Sequence, residues 1–431
     1  MKRRILLIAL LLALAAALGY AAYAGAKAPS LFAIEPTAER DFVHASLTCD
    51  AGSRTLRGTQ RMTITNRTEA ALTEVVLRLY MNGENEGSVV VAGVTANGES
   101  VSSRKDEDDP TVLRIPLDWQ PGQTVELTFT LMITHEKAED AAVITLPSLA
   151  MLEEGAWRTD GYDVLAGMSH AQAFDYVIEL DGVCAARMRG ARDASFALQT
   201  GGKVRSAMAG NVRITALGAT GMQARRLLSS AKAALDDLEK LGFAYPFDTL
   251  TVAVSQSALQ DGMALSGLIA LREEGDGEQL RRQLVQGIAR QIFGVYIESD
   301  PWNAPWLSYA PAAALEMLSY RQRRGAAAYE ERLYGEMEIA SRVTRPYGVC
   351  VGAGVSFFGS ESEMKQVLCD QGGAMLLGIE AAVGEEAFLA ALHAYVQRCA
   401  GHAGTQQALE AALLETTGSD WSGYLADELA F

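Results

Sequence analysis

Two hydrophobic patterns follow one another along the chain. Between residues 41 and 216, apolar and β-branched positions come in short strand-like runs. Residues 55–65 alternate, with Leu56, Gly58, Gln60, Met62 and Ile64 on one face, while 75–80 and 124–129 are rich in β-branched and aromatic side chains. Asn82-Gly83 and Asn97-Gly98 supply turn dipeptides between such runs. The charged segment 104–109, which ends at Pro110, reads as a solvated loop. Short strands at this spacing predict an antiparallel β-sandwich.

From about Gly221 the period becomes helical. Residues 223–241 put Leu227, Leu228, Ala231, Ala234, Leu235 and Leu238 on one side, with Gly242 as a stop and Pro246 beyond it. Residues 249–255 return to a strand, and 279–296 carry Leu280, Leu284, Ile288 and Ile292 along one stripe. Further helices are predicted over 311–323, 327–343, 364–383, 385–400 and 405–416. The predicted class is α+β: an N-terminal antiparallel β-sandwich over 41–216, followed over 217–431 by a helix-rich domain with a small β-sheet.

The N-terminus adds a third feature. Lys2, Arg3 and Arg4 precede an uncharged apolar run over residues 5–24, close to the ~20 residues that cross a bilayer as a helix. Residues 1–26 therefore read as one hydrophobic helix acting as signal-anchor, and 27–40 as a linker. The basic residues stay in the cytoplasm, which places the remainder outside it at the cell membrane as a single-pass protein. Ala24-Gly25-Ala26 also has the small residues of a cleavage site, and cleavage there would release a secreted protein.

Charge and composition narrow the function. With 37 Lys plus Arg against 53 Asp plus Glu, the net charge is -16, which argues against nucleic acid as a partner. His44, His135, His170, His393 and His402 are scattered, and none has a second plausible metal ligand one helical turn away. Cys49, Cys184, Cys350, Cys369 and Cys399 are odd in number and form no C-x-x-C pair, so at least one is free. Neither a G-x-S-x-G elbow, a phosphate loop nor a dinucleotide fingerprint is present. Cys369 and His393, on successive predicted helices, are a thiol and base to be tested against simple packing. Asn66-Arg67-Thr68 has the glycosylation form.

Several segments carry a resemblance by their order and spacing. They begin with Tyr245-Pro246-Phe247 before a strand, Asp261-Gly262-Met263 with Gly267-Leu268, and Gln291-Ile292-Phe293-Gly294. Asp300-Pro301-Trp302-Asn303-Ala304-Pro305-Trp306-Leu307 follows, then Gly372-Gly373-Ala374-Met375-Leu376-Leu377 and Gly384-Glu385-Glu386-Ala387-Phe388. From Ser46 to the end, the chain resembles the zinc aminopeptidases of the membrane alanyl aminopeptidase type, the gluzincin peptidase family M1. The resemblance implies a β-sandwich followed by a thermolysin-like domain.

It also implies a zinc site that these residues do not supply. The family holds zinc through H-E-x-x-H on a helix, whose two His share one face, and through a Glu on the next helix. The register set by Gln291-Ile292-Phe293-Gly294 puts Gln286 and Arg290 at the histidine positions and Gly287 at the general base. Nineteen positions beyond Arg290, where the family has its Glu, stands Tyr309. An amide is a rare zinc ligand, glycine takes no proton, a guanidinium stays charged, and a phenol titrates near ~10. The family's amine-binding Glu corresponds to Ala264, and its oxyanion-stabilising Tyr to Cys369. The expectation is a membrane-anchored, extracytoplasmic pseudopeptidase with no cofactor, serving in peptide or protein binding or as an accessory subunit. The competing expectation is a metallo-aminopeptidase with a non-standard or misregistered site.

For a surviving cleft the candidates are Arg290, Gln286, Tyr309, Met263 and Trp306, with Arg290 facing a peptide C-terminus or an acidic side chain. Alternatively Trp302 and Trp306 only pack the connection between helices, and Glu316 neutralises Arg290 to leave an inert core.

Overall fold

A computed structural model describes residues 40–50, 52–135, 141–153, 155–160, 165, 173–199, 204–256, 258, 260–272, 275–338, 346, 348–400 and 403–430. The predicted hydrophobic helix over 1–26, the linker up to residue 39, His170 and His402 lie outside these residues. Among the described residues no helix is long and apolar enough to cross a membrane.

The first half is built from β1 (Asp41–Asp50), β2 (Thr55–Thr65), β3 (Leu72–Arg78), β4 (Val89–Ala96), β5 (Glu99–Ser100), β6 (Arg104–Lys105), β7 (Val112–Trp119) and β8 (Thr124–Thr134). It continues through β9 (Ala142–Thr145), β10 (Ser148–Leu149), β11 (Leu152–Glu153), β12 (Ala156–Trp157), β13 (Phe174–Leu180), β14 (Val183–Ala191) and β15 (Ser195–Leu198). One sheet runs β14-β13-β1-β2-β8-β4-β5 and another β10-β3-β7-β6. Leu56, Met62, Ile64 and Phe129 of the first meet Val75, Leu77, Ile115 and Trp119 of the second in a shared core. The alternation of β2 thus becomes a buried face, on which Gln60 satisfies its amide at the Pro147 carbonyl, 2.7 Å away.

Three local details differ from the sequence reading. Within this half the described strands pair antiparallel except for β1 with β13, which run parallel from Asp41↔Phe174 to Leu47↔Leu180 after a long return connection. Asn97 and Gly98, at φ 52° and 84°, make the expected tight turn, whereas Asn82 ends a single 3₁₀ turn and bonds Val89 through its buried side chain. Segment 104–109 is only partly loop: Arg104 and Lys105 form an edge strand, and Asp106 pairs with Arg114 at 3.1 Å.

The second half begins with β16 (Arg205–Ala209), β17 (Val212–Leu217), α1 (Gly221–Lys240), β18 (Thr249–Val254), β19 (Met263–Leu265) and β20 (Leu268–Leu271). The sheet order is β16-β17-β18-β20-β19, so β16 and β17, strand-like neighbours of the sandwich in sequence, hydrogen-bond into this sheet. The reason is a parallel β17-α1-β18 crossover that covers Ile214 and Ala216 with Leu227, Ala231 and Leu238. Then follow α2 (Gly277–Arg290), α3 (Trp306–Arg324), α4 (Ala326–Arg332), α5 (Glu361–Lys365), α6 (Gly372–Val383), α7 (Glu385–Cys399), α8 (Gln406–Thr417) and α9 (Ser422–Leu429).

Asp276 caps α2, accepting from the amides of Glu278 and Gln279 at 3.0 and 2.8 Å. Beyond Arg290 this helix widens into a π turn, Gln291–Tyr296. Helix α3 starts before Pro311, where the sequence reading began it, and every residue from Trp306 to Ser319 is buried. Small residues let its neighbours approach it: a Cβ at Gly294 would stand 2.5 Å from the Ser308 hydroxyl, and one at Gly373 3.1 Å from Ala313.

A buried ion pair fastens the sandwich to the end of the α2 segment. Arg192, between β14 and β15, meets Glu298 at 2.6 Å. Burial outweighs the pull of Arg192 and raises the Glu298 carboxyl from 4.5 to about 7. The folded state therefore holds a proton that the unfolded chain has released, and stability falls as pH rises from about 4.5 to 7. Glu298→Gln should flatten that slope in thermal melts recorded across this window; a variant as pH-dependent as the parent would refute the assignment.

Candidate active-site cleft

A cavity of about 450 Å³ opens beside α2, where Gln283, Gln286, Gly287 and Arg290 share one helical face. Tyr309 of α3 and Cys369 and Asp370, from the π turn between α5 and α6, line it as well. Five of the positions singled out in sequence thus converge: Gln286, Gly287, Arg290, Tyr309 and Cys369. Met263 and Ala264 lie on β19 and line a hollow of only about 50 Å³, shared with Arg290 and Tyr309. Met263 is therefore beside the cleft rather than in it. Trp306, expected as a cleft residue, is 2 % exposed and packs in the helical core, because α3 is buried on all sides.

Arg290 organises the centre. Its Nη2 donates to the Tyr309 hydroxyl at 2.8 Å, its Nη1 to the Gly262 carbonyl at 3.2 Å, and its guanidinium carbon lies 3.9 Å from the Tyr309 ring centroid. Tyr309 in turn donates to Oε1 of Gln260 at 2.8 Å, and Gln260 is anchored on the Leu165 carbonyl. Burial pushes the Tyr309 phenol up to about 12. Among the described residues no carboxylate pairs with Arg290. Glu316, the expected neutraliser, lies about 10 Å further along α3 by helical rise and is held by Arg332 at 2.7 Å.

The other charges are matched at the rim. Lys365 pairs with Glu361 at 2.6 Å and donates to the Asp261 carbonyl, while Arg282 meets Glu336 and Asp370 at 2.7 and 3.3 Å. Asp261 accepts from the Arg272 amide and from Nε2 of Gln283, at 2.9 and 2.7 Å. Sequence reasoning missed Gln283, although its place one turn before Gln286 was the available signal. The segments that carry the resemblance form the scaffold: Gln291 accepts from the Tyr245 hydroxyl at 2.5 Å and the Gly267 amide at 3.2 Å.

Thiol chemistry finds no support. Burial raises the Cys369 thiol to about 11, and His393 packs 4.2 Å from the Phe243 ring, outside the cleft lining. His44 sits 3.7 Å from Glu179 on the sandwich, and His135 is buried at the end of β8. The five cysteines are unbonded. Asn66 is buried with its amide spent on the Ala70 and Trp119 carbonyls, which closes the glycosylation form in the folded chain.

No protein-family profile and no curated protein matches the sequence. Solved structures do. The M1 zinc metallopeptidase of Deinococcus radiodurans superposes with a TM-score of 0.62 at 17% identity, over 91% of this chain and 92% of that one. A mutant of the M1 zinc metallopeptidase from the same organism, bound to a Tyr-Ser-Ala substrate, gives 0.58 at 18%, over 90% and 93%. A two-domain M1 zinc metallopeptidase mutant bound to L-arginine gives 0.62 at 17%, over 91% and 93%. The chain has the two-domain M1 metallopeptidase fold. Within this M1-like chain, no group of three or more His, Cys, Asp or Glu that could hold a metal ion exists among the described residues.

Gly287 shows how the helix face is adapted. A Cβ there would stand 2.9 Å from Cδ1 of Ile269 and 3.2 Å from its Cγ1, so α2 rests directly on β20. Gly287→Glu should destabilise the protein by about 1–3 kcal/mol through overpacking, and Ile269→Val should restore part of the loss. Denaturant melts of the single and double variants measure this, and an unchanged midpoint for Gly287→Glu would contradict it.

Proposed function

We propose that this protein is a non-hydrolysing relative of the M1 metallopeptidases whose cleft is kept as a binding groove for a peptide or protein ligand. The observation that carries this reading is Arg290. Its permanent cation stands where the resemblance sets a metal ligand, stacked on and bonded to Tyr309, which stands where the resemblance sets another. An amide, a guanidinium and a phenol held neutral by burial do not fit a zinc ion, and Gly287 offers no base. The matched ion pairs around a 450 Å³ cavity support a maintained groove, since that volume is in the range of ligand pockets. The Tyr-Ser-Ala and L-arginine complexes support a peptidic ligand for a cleft on this fold. Residues 5–24 would hold the groove at the outer face of a membrane, where the protein acts alone or as an accessory subunit.

Metal analysis of the purified full chain, together with aminoacyl anilide assays, tests this. Zinc well below one ion per chain and no chelator-sensitive cleavage are expected; stoichiometric zinc with such cleavage would establish a working aminopeptidase instead. Zinc binding is expected to appear when Gln286→His, Gly287→Glu, Arg290→His and Tyr309→Glu are combined with Ile269→Val.

A further inference from the structure

The cleft leaves three polar atoms of α2 without a hydrogen-bond partner among the described residues: Oε1 of Gln283, Nε2 of Gln286 and Nε of Arg290. Their side chains stand at i, i+3 and i+7, on one face of the helix, and all three line the same cavity. Each atom is largely covered by its neighbours, so a hydrogen bond left unmade there is costly. The neighbouring Lys365 and Arg282 have carboxylate partners, whereas Arg290 has none among the described residues. The unmet demand is therefore specific: two donors, one of them cationic, with an acceptor one helical turn before the first of them and two before the second.

Resting on the groove reading above, we propose that the cleft recognises the C-terminal end of a peptide. The terminal carboxylate would sit between Arg290 and Gln286, and the last amide N–H would donate to Oε1 of Gln283. An acidic side chain meets only the two donors and leaves the acceptor unused. A free amino terminus brings a positive charge toward Arg290. A C-terminal residue carries an N–H followed across a single Cα by an anion, the same order as the acceptor on Gln283 followed along the helix by the donors on Gln286 and Arg290.

Titration calorimetry on the full chain in detergent tests this with four probes: acetyl-Ala-Ala-Ala with a free carboxylate, the same peptide as its C-terminal amide, acetyl-Ala-Asp-Ala-amide, and Ala-Ala-Ala-amide. The free carboxylate should bind about 10–100-fold more tightly than any other probe, the range expected for charge-assisted hydrogen bonds. Arg290→Met should abolish that preference. Gln286→Leu and Gln283→Leu should each weaken the free acid by about 3–10-fold, with far-ultraviolet circular dichroism checking that each variant is folded. Equal binding of the acid and its amide, or of the aspartyl peptide, would overturn the C-terminal assignment and leave the groove reading standing. Binding of no probe would overturn both.

Discussion

The contact between Arg290 and Tyr309 joins the two helices around which the second half of the molecule is organised. A guanidinium with its carbon 3.9 Å from a phenol ring centroid, bonded to its hydroxyl at 2.8 Å, is a strong local interaction on a buried phenol. It is also self-consistent. The buried phenol stays neutral and accepts from the cation, and the cation spends its remaining terminal nitrogen on the Gly262 carbonyl. The two helices are thereby joined around an organic cation.

That arrangement needs helices at close range, and the packing supplies it. Gly294 and Gly373 bring neighbouring segments against α3 with no room for a side-chain carbon, and Gly287 lays α2 on β20. Gln291 ties α2 to the Tyr245 and Gly267 segments. Helix approach and sheet pairing depend on these small and apolar residues, not on the identity of the polar groups facing the cleft.

The rim adds electrostatic order. Glu361, Lys365, Arg272 and Asp261 hold the Gly262 turn against α5, and Gly262 presents its carbonyl to Arg290 as a result. Arg192 and Glu298 pair the sandwich with the residues just after the π turn that continues α2.

Much of this was legible in the sequence because periodicity is local. The switch from strand-like to helical patterning, the α2 stripe and the shared face of Gln286, Gly287 and Arg290 all follow from spacing along one element. What spacing does not encode is which elements meet. The parallel pairing of β1 with β13, the recruitment of β16 and β17 by β18, the burial of Trp306 and the separation of Cys369 from His393 depend on contacts between residues far apart in the chain. So does the fate of Arg290: the sequence alone determined that a permanent cation stands on that helix face, and only the tertiary structure decided that Tyr309 and Gly262, rather than Glu316, receive it. Side-chain type is set residue by residue, while a charge's partner is set by whichever distant group the packed core carries within hydrogen-bond reach.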